Sequence, residues 1–139
     1  MTRRLSFITA AIVLAACSGQ TAFDRVAVRV SAFPDSVAPG DSVVVVVSVR
    51  NIDADVVMLE FDTDCQLLYR IVDANNLQVG PPSPFVCTQG HTVMVLASGE
   101  VSERAFPWLA QVPAGQYRVY GAVGADRARE AGPVPLKVQ

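Results

Sequence analysis

Few side chains in this sequence are of types that do chemistry, and their spacing limits what that chemistry could be. His91 is the sole imidazole. A serine nucleophile would need it as a base, with an orienting acid converging on the same point. No Gly-x-Ser-x-Gly elbow, phosphate-binding glycine loop or His-Glu-x-x-His pair occurs. His91 follows Gly90 in what reads as a loop ahead of a strand, so a solvated imidazole is the expectation. Asp53, Asp55, Asp62 and Asp64 form two Asp-x-Asp pairs. Calcium takes about six to eight oxygen ligands. The predicted strand between the pairs holds them about 20 Å apart at about 3.3 Å per residue, too far to share one ion. They read as solvated turn acids. Arg127, Arg129 and Glu130 read as a solvated loop. Cys65 and Cys87 lie outside any Cys-x-x-Cys motif and lack a ligand set, which argues against zinc. No catalytic residue, metal site or cofactor is therefore expected.

The elements that must position these residues are strands. Residues 25–33 alternate, with Val26, Val28 and Val30 on one face, the period of a half-buried strand. Val43 to Val47 are consecutive valines, whose branching at Cβ favours strand over helix. Such a run suits either a strand covered on both faces or an inner strand of a sandwich. Further strands are predicted at 56–61, 66–72, 77–79, 92–97, 101–109, 116–123 and 134–138, with Pro107 a candidate bend. Residues 63–69 and 125–131 are short helical candidates. Gly80, Pro81, Pro82, Ser83 and Pro84 cannot form a central strand, because proline brings no ladder donor. They read as a rigid crossover or edge loop. Short strands divided by turn residues predict an all-β chain, an Ig-like sandwich of about seven to nine strands.

The N-terminus reads differently. Arg3 and Arg4 precede an apolar run, residues 5–16, that ends in Ala15 and Ala16. This is the build of a secretory signal. It is shorter than the about 20 residues a spanning helix needs. Leu14-Ala15-Ala16-Cys17 resembles the lipobox of bacterial lipoproteins. The resemblance implies cleavage before Cys17, a diacylglyceryl group on its thiol, and an acylated new amino group. Each buried methylene contributes about 0.8 kcal/mol, so two or three chains anchor firmly. The organisation that follows is a signal peptide at 1–16, a lipidated tether at 17–24 and one domain at 25–139. The address is the cell envelope, and Ser18 after the cysteine favours the outer membrane in a Gram-negative cell. Loss of Arg3 and Arg4 takes the side-chain balance from −2 to −4. With no basic tract, nucleic acid is not an expected partner. Lipidation also leaves Cys65 and Cys87 as a pair in an oxidising compartment, where a disulfide persists. A metal pair or two free thiols are the alternatives.

Residues 42–123 resemble the Ig-like domain of the intracellular proteinase inhibitor (BsuPI) family. The matching parts are the valine strand ending in Asn51, Val56-Val57-Met58-Leu59-Glu60-Phe61, Tyr69-Arg70-Ile71-Val72-Asp73, Leu96-Ala97-Ser98-Gly99-Glu100, Trp108 and Val112-Pro113-Ala114-Gly115-Gln116-Tyr117. Ser98 stands where the family has proline. The resemblance implies an Ig-like fold and a proteinase-inhibiting activity. Tyr117, after the Pro113–Gly115 turn, resembles a tyrosine corner, its ring filling the sandwich end. Trp108 is expected to pack in the core or at its edge rather than anchor a ligand.

Three functions compete. The first is a lipid-anchored, non-catalytic domain that binds another protein or supports an envelope assembly. The second is an inhibitor inserting a rigid loop into a protease, for which Gly80, Pro81, Pro82, Pro84 and Phe85, closed by Cys87, are the candidates. The third is a ligand- or metal-binding envelope protein.

Overall fold

The computed structural model describes residues 21–139. A single 3-10 turn, Ala22–Arg25, leads into ten strands: β1 (Val26–Phe33), β2 (Ser36–Val37), β3 (Ser42–Asn51), β4 (Val57–Thr63), β5 (Leu67–Val72), β6 (Gln78–Gly80), β7 (Gln89–Leu96), β8 (Val101–Leu109), β9 (Gly115–Val123) and β10 (Arg129–Val138). β1, β3 and β8 form one antiparallel sheet. β2, β10, β9, β5 and β6 form a second, and β4 pairs with β7 in a two-stranded third. The fold is all-β, an Ig-like sandwich.

The valine run takes the inner-strand arrangement. Val43, Val45, Val47 and Val49 are fully buried, while Val44, Val46 and Ser48 face outward. Opposite them lie Tyr69 and Ile71 of β5, Val119 of β9 and Leu136 of β10. Leu59 and Phe61 of β4, Leu96 of β7, and Phe106 and Trp108 of β8 complete one core. The chain changes layer at Pro34. β1 pairs with β3, whereas β2 runs parallel to β10 through Ser36 and Val37.

Several local expectations change. Pro107 does not bend β8, whose register with β3 runs unbroken from Val101 to Leu109. β8 is the edge of its sheet, where a missing donor is tolerated. Residues 63–69 are not helical. A short link after Thr63 lets the chain trade its partner, from β7 along β4 to β9 along β5. Residues 125–131 are not helical either. The Arg127 N–H closes a turn on the Gly124 carbonyl at 2.9 Å, and β10 begins at Arg129. β10 slips register between Ala131 and Val134. There Gly132 has φ +106, and a Cβ on it would sit 2.7 Å from the Val119 carbonyl oxygen. This bulge breaks the alternation and hid the first part of β10 in the sequence. Phe23, in the stretch read as tether, packs edge-on against Phe61, ring centroids 5.9 Å apart.

Candidate functional site

The outward face of the second sheet carries the main site. Alternation along β5 turns Tyr69 and Ile71 inward and leaves Leu68 and Arg70 outward. On β9 the same rule turns Val119 inward and leaves Tyr120 half-exposed. Register then places Arg70 beside Tyr120 and pairs Glu130 of β10 with Ala122 of β9. The Arg70 guanidinium lies 3.9 Å above the centre of the Tyr120 ring. It donates twice to Glu130, from Nε at 3.1 Å and Nη2 at 2.8 Å. A fork-to-fork pair of this kind fixes both side chains. The bond from Arg70 holds the Glu130 carboxyl below its ordinary range against a smaller opposing effect of burial, and the same bond raises Arg70. Glu130 is thus not the solvated loop acid expected from sequence, because β10 starts earlier than its hydrophobic pattern suggests. Arg129 also lies in β10, 3.7 Å from Asp24.

A loop forms the second wall. It leaves β6 at Gly80, which is packed so closely that a Cβ would sit 2.8 Å from Trp108 Nε1 and 3.1 Å from Ile71 Cδ1. Phe85 re-enters the protein, with ring centroids 5.7 Å from Tyr69 and 5.7 Å from Phe106. Cys87 is then joined to Cys65 by a disulfide, Cα atoms 5.4 Å apart. Between this loop and the sheet lies a cleft of about 400 Å³, bounded by Arg70, Tyr120, Glu130, Arg127, Pro84 and Phe85.

The expected binding loop is therefore divided. Pro82, Ser83 and Pro84 are exposed, and Pro84 and Phe85 border the cleft. Gly80 is buried beneath Trp108, and the Phe85 ring also belongs to an aromatic cluster, so both act first as anchors. Val86, between Phe85 and Cys87, is 93% exposed.

The other sequence candidates stay apart. His91 lies in β7 rather than in a loop, exposed, with Nε2 3.9 Å from Glu60 of neighbouring β4. Asp53 accepts a hydrogen bond from Arg25 Nε, which lowers its carboxyl from the ordinary range. Its other oxygen accepts the Ala54 N–H at 2.6 Å. Asp64 accepts the Thr88 N–H at 2.7 Å. Among the described residues no three His, Cys, Asp or Glu side chains gather as a metal site. The Tyr117 hydroxyl donates to the Pro113 carbonyl at 2.6 Å, and Gly115 lies against its ring. This is the geometry of a tyrosine corner. Trp108 is buried in the core. Cys17 lies outside the described residues, among which no helix is long and apolar enough to cross a membrane.

Sequence reasoning missed Arg70, Tyr120 and Glu130 as a unit. Outward positions on strands could have flagged the first two, but only register brings Glu130 to them.

No family model and no curated protein matches this chain. Solved structures do. A β-glucosidase of Erythrobacter marinus aligns at 15% identity and TM-score 0.50, over 82% of this chain and 15% of the enzyme. The alkylpurine DNA glycosylase AlkC of Pseudomonas fluorescens aligns at 10% identity and TM-score 0.52, over 83% of this chain and 30% of that protein. A cycloisomaltooligosaccharide glucanotransferase of Paenibacillus sp. aligns at 18% identity and TM-score 0.49, over 80% of this chain and 13% of the enzyme. The chain spans less than a third of each, and the first two alignments show a likeness of fold alone.

Proposed function

We propose that this chain is a lipid-anchored envelope protein whose Ig-like domain binds another protein without catalysing a reaction. The observation that carries the binding role is the cleft. A concave surface of about 400 Å³ with aromatic and apolar walls and a few fixed polar groups is the usual form of a recognition site. Its polar groups are held before any ligand arrives: Arg70 is clamped by Glu130 and stacked on Tyr120. Preorganisation of this kind lowers the entropic cost of binding. The membrane part of the proposal rests on the charged head, apolar run and lipobox-like Leu14-Ala15-Ala16-Cys17. The Cys65–Cys87 disulfide fits an oxidising compartment.

Crosslinking pull-down from intact envelopes with the lipidated protein tests the binding role. One partner should be recovered, and a Tyr120→Ala, Arg70→Ala protein should lose it. Recovery of the same partner by both proteins would refute the role given to the cleft. A Cys17→Ser chain should lose its fatty-acid label and its membrane fraction. Retention of both would refute the anchor.

One observation favours a second reading, proteinase inhibition. Val86 stands out from the surface between two anchored neighbours, Phe85 in the aromatic cluster and Cys87 in the disulfide. A rigid, protruding aliphatic side chain is what a protease subsite would accept. Titration of envelope serine proteases should then show inhibition that a Val86→Asp protein lacks, and activity unaffected by micromolar protein would remove this reading.

A further inference from the structure

We propose that the outward face of the β1–β3–β8 sheet is a self-association surface, on which a second copy of this chain docks about a two-fold axis running along β3. The surface is separate from the cleft, and its orientation rests on the lipid-anchor reading above.

The face divides along its length. Register sets the outward side chains in rows across the three strands. Phe33, Val44 and Pro107 form one row, Ser31, Val46 and Ala105 the next, and Arg29, Ser48 and Glu103 the third. The rows follow one another at about 7 Å, two residues of strand. The first two rows carry no charge, nor do Ser42 and Leu109 beyond them. Phe33 is 77% exposed, Leu109 48% and Val44 41%. A contiguous apolar patch of this kind marks a contact surface. Edge-to-edge pairing is disfavoured, because Pro107 brings no donor to β8.

Charge placement selects the occupant. Arg29 and Glu103 share a row on opposite sides of β3, each about 4.8 Å from it. Neither makes an ion pair among the described residues. A two-fold axis along β3 lays β1 of each copy over β8 of the other. Arg29 then meets Glu103 of the second copy, and symmetry forms the same pair again. Phe33 falls on the other copy's Pro107, and Val44 on its own counterpart. The face is thus complementary to itself in both charge and apolar surface, and the ion pairs fix the register. An axis across the strands would set the charges against the apolar rows. Arg50 lies on the axis at the last row, but its guanidinium reaches to 3.9 Å from the Cβ position of Gly99, in the turn after β7.

The same axis keeps the anchors together. The 3-10 turn Ala22–Arg25 enters β1 at the Arg50 end of the face. Cys17 precedes Thr21 by four residues, a reach of at most about 14 Å. An axis parallel to the strands leaves both lipids at one end, where a single membrane takes both. The face measures about 14 Å by 30 Å, three strands by nine residues. That is short of the about 800 Å² per partner of a standard interface. The contact is therefore weak in solution, and confinement to one membrane supplies the concentration that populates it.

The test is photocrosslinking of the lipidated protein in intact cells, with benzoylphenylalanine replacing Val44 or, separately, Ser42. Both sites lie on the axis. Irradiation should give a product of twice the protein's mass that contains this chain alone. The same probe at Leu77, which is exposed away from the face, should give about tenfold less. Arg29→Glu or Glu103→Arg alone should reduce the product about tenfold, and the two together should restore it, which shows that each charge variant folds and acts through the pair. No product at either axis site, equal product at Leu77, or a double variant no better than the single ones would each overturn the proposal. So would conjugates with a different protein in place of the dimer, which would give the face to that partner. If the dimer forms and obeys the charge swap while the protein carries no fatty-acid label, the anchor reading alone falls. If the label is present and no dimer forms, the self-association alone falls.

Discussion

Replacing Gly80 with alanine inserts one methyl group where the two sheets and the proline loop meet. The new Cβ would lie 2.8 Å from Trp108 Nε1, 3.1 Å from Ile71 Cδ1 and 3.2 Å from Ile71 Cβ. The indole could swing only if the core moved with it, because Trp108 is 3% exposed. Ile71 Cβ cannot move without β5, which is bonded on both sides at that point. Overpacking of this kind costs about 1–3 kcal/mol. Alanine also narrows the unfolded ensemble, which offsets about 0.4–1 kcal/mol. The net expectation is a loss of about 1–2 kcal/mol, or about 4–8 °C in Tm for a domain of this size. Thermal unfolding by far-ultraviolet circular dichroism measures the loss. Trp108 is the single tryptophan, so its emission reports the same site directly. It should shift to the red in the variant. Gly80→Ala with unchanged Tm and unchanged emission would refute the packing deduced for the loop entrance.

The remaining predictions concern other fixed points of the domain. Glu130→Gln should cost about 1 kcal/mol at neutral pH, the modest worth of a half-exposed bidentate pair. Because the folded state holds the Glu130 carboxyl below its ordinary range, that contribution is present above the unfolded value and disappears as pH falls through the lower folded one. Urea denaturation should therefore separate parent and variant at about pH 7 and bring them together in strong acid, and a gap that widens in acid contradicts the assignment. Replacing Cys65 and Cys87 by alanine removes a cross-link over a sequence separation of 22, which should cost about 3 kcal/mol in the chain-entropy account. Mass spectrometry without reductant should find the two cysteines in one linked peptide pair, and free thiols on both defeat this. Tyr117→Phe should lose about 1–2 kcal/mol in chemical denaturation, since the Pro113 carbonyl loses its donor. No change in the midpoint would deny the hydroxyl its corner role.

Features that depend on neighbours in the chain were legible in the sequence. The alternation of Val26, Val28 and Val30, and the burial of every second residue along β3, follow from a period of two that any strand must obey. The Tyr117 corner was legible for the same reason, since its acceptor Pro113 is four residues away. Proline chemistry located the 80–84 loop. Tertiary structure decided what needed pairing across the chain. Arg70, Tyr120 and Glu130 meet only because β5 and β10 flank β9 in one register, and a slip of one residue would turn their side chains to the opposite face. The bulge between Ala131 and Val134 concealed the start of β10, so Glu130 looked like a loop acid. Phe85 looked available for binding, yet it anchors the loop because Tyr69 and Phe106, from strands far apart in sequence, form its pocket. Local backbone geometry declared itself in residue order, whereas the cleft exists only where non-local strands set their outward side chains together.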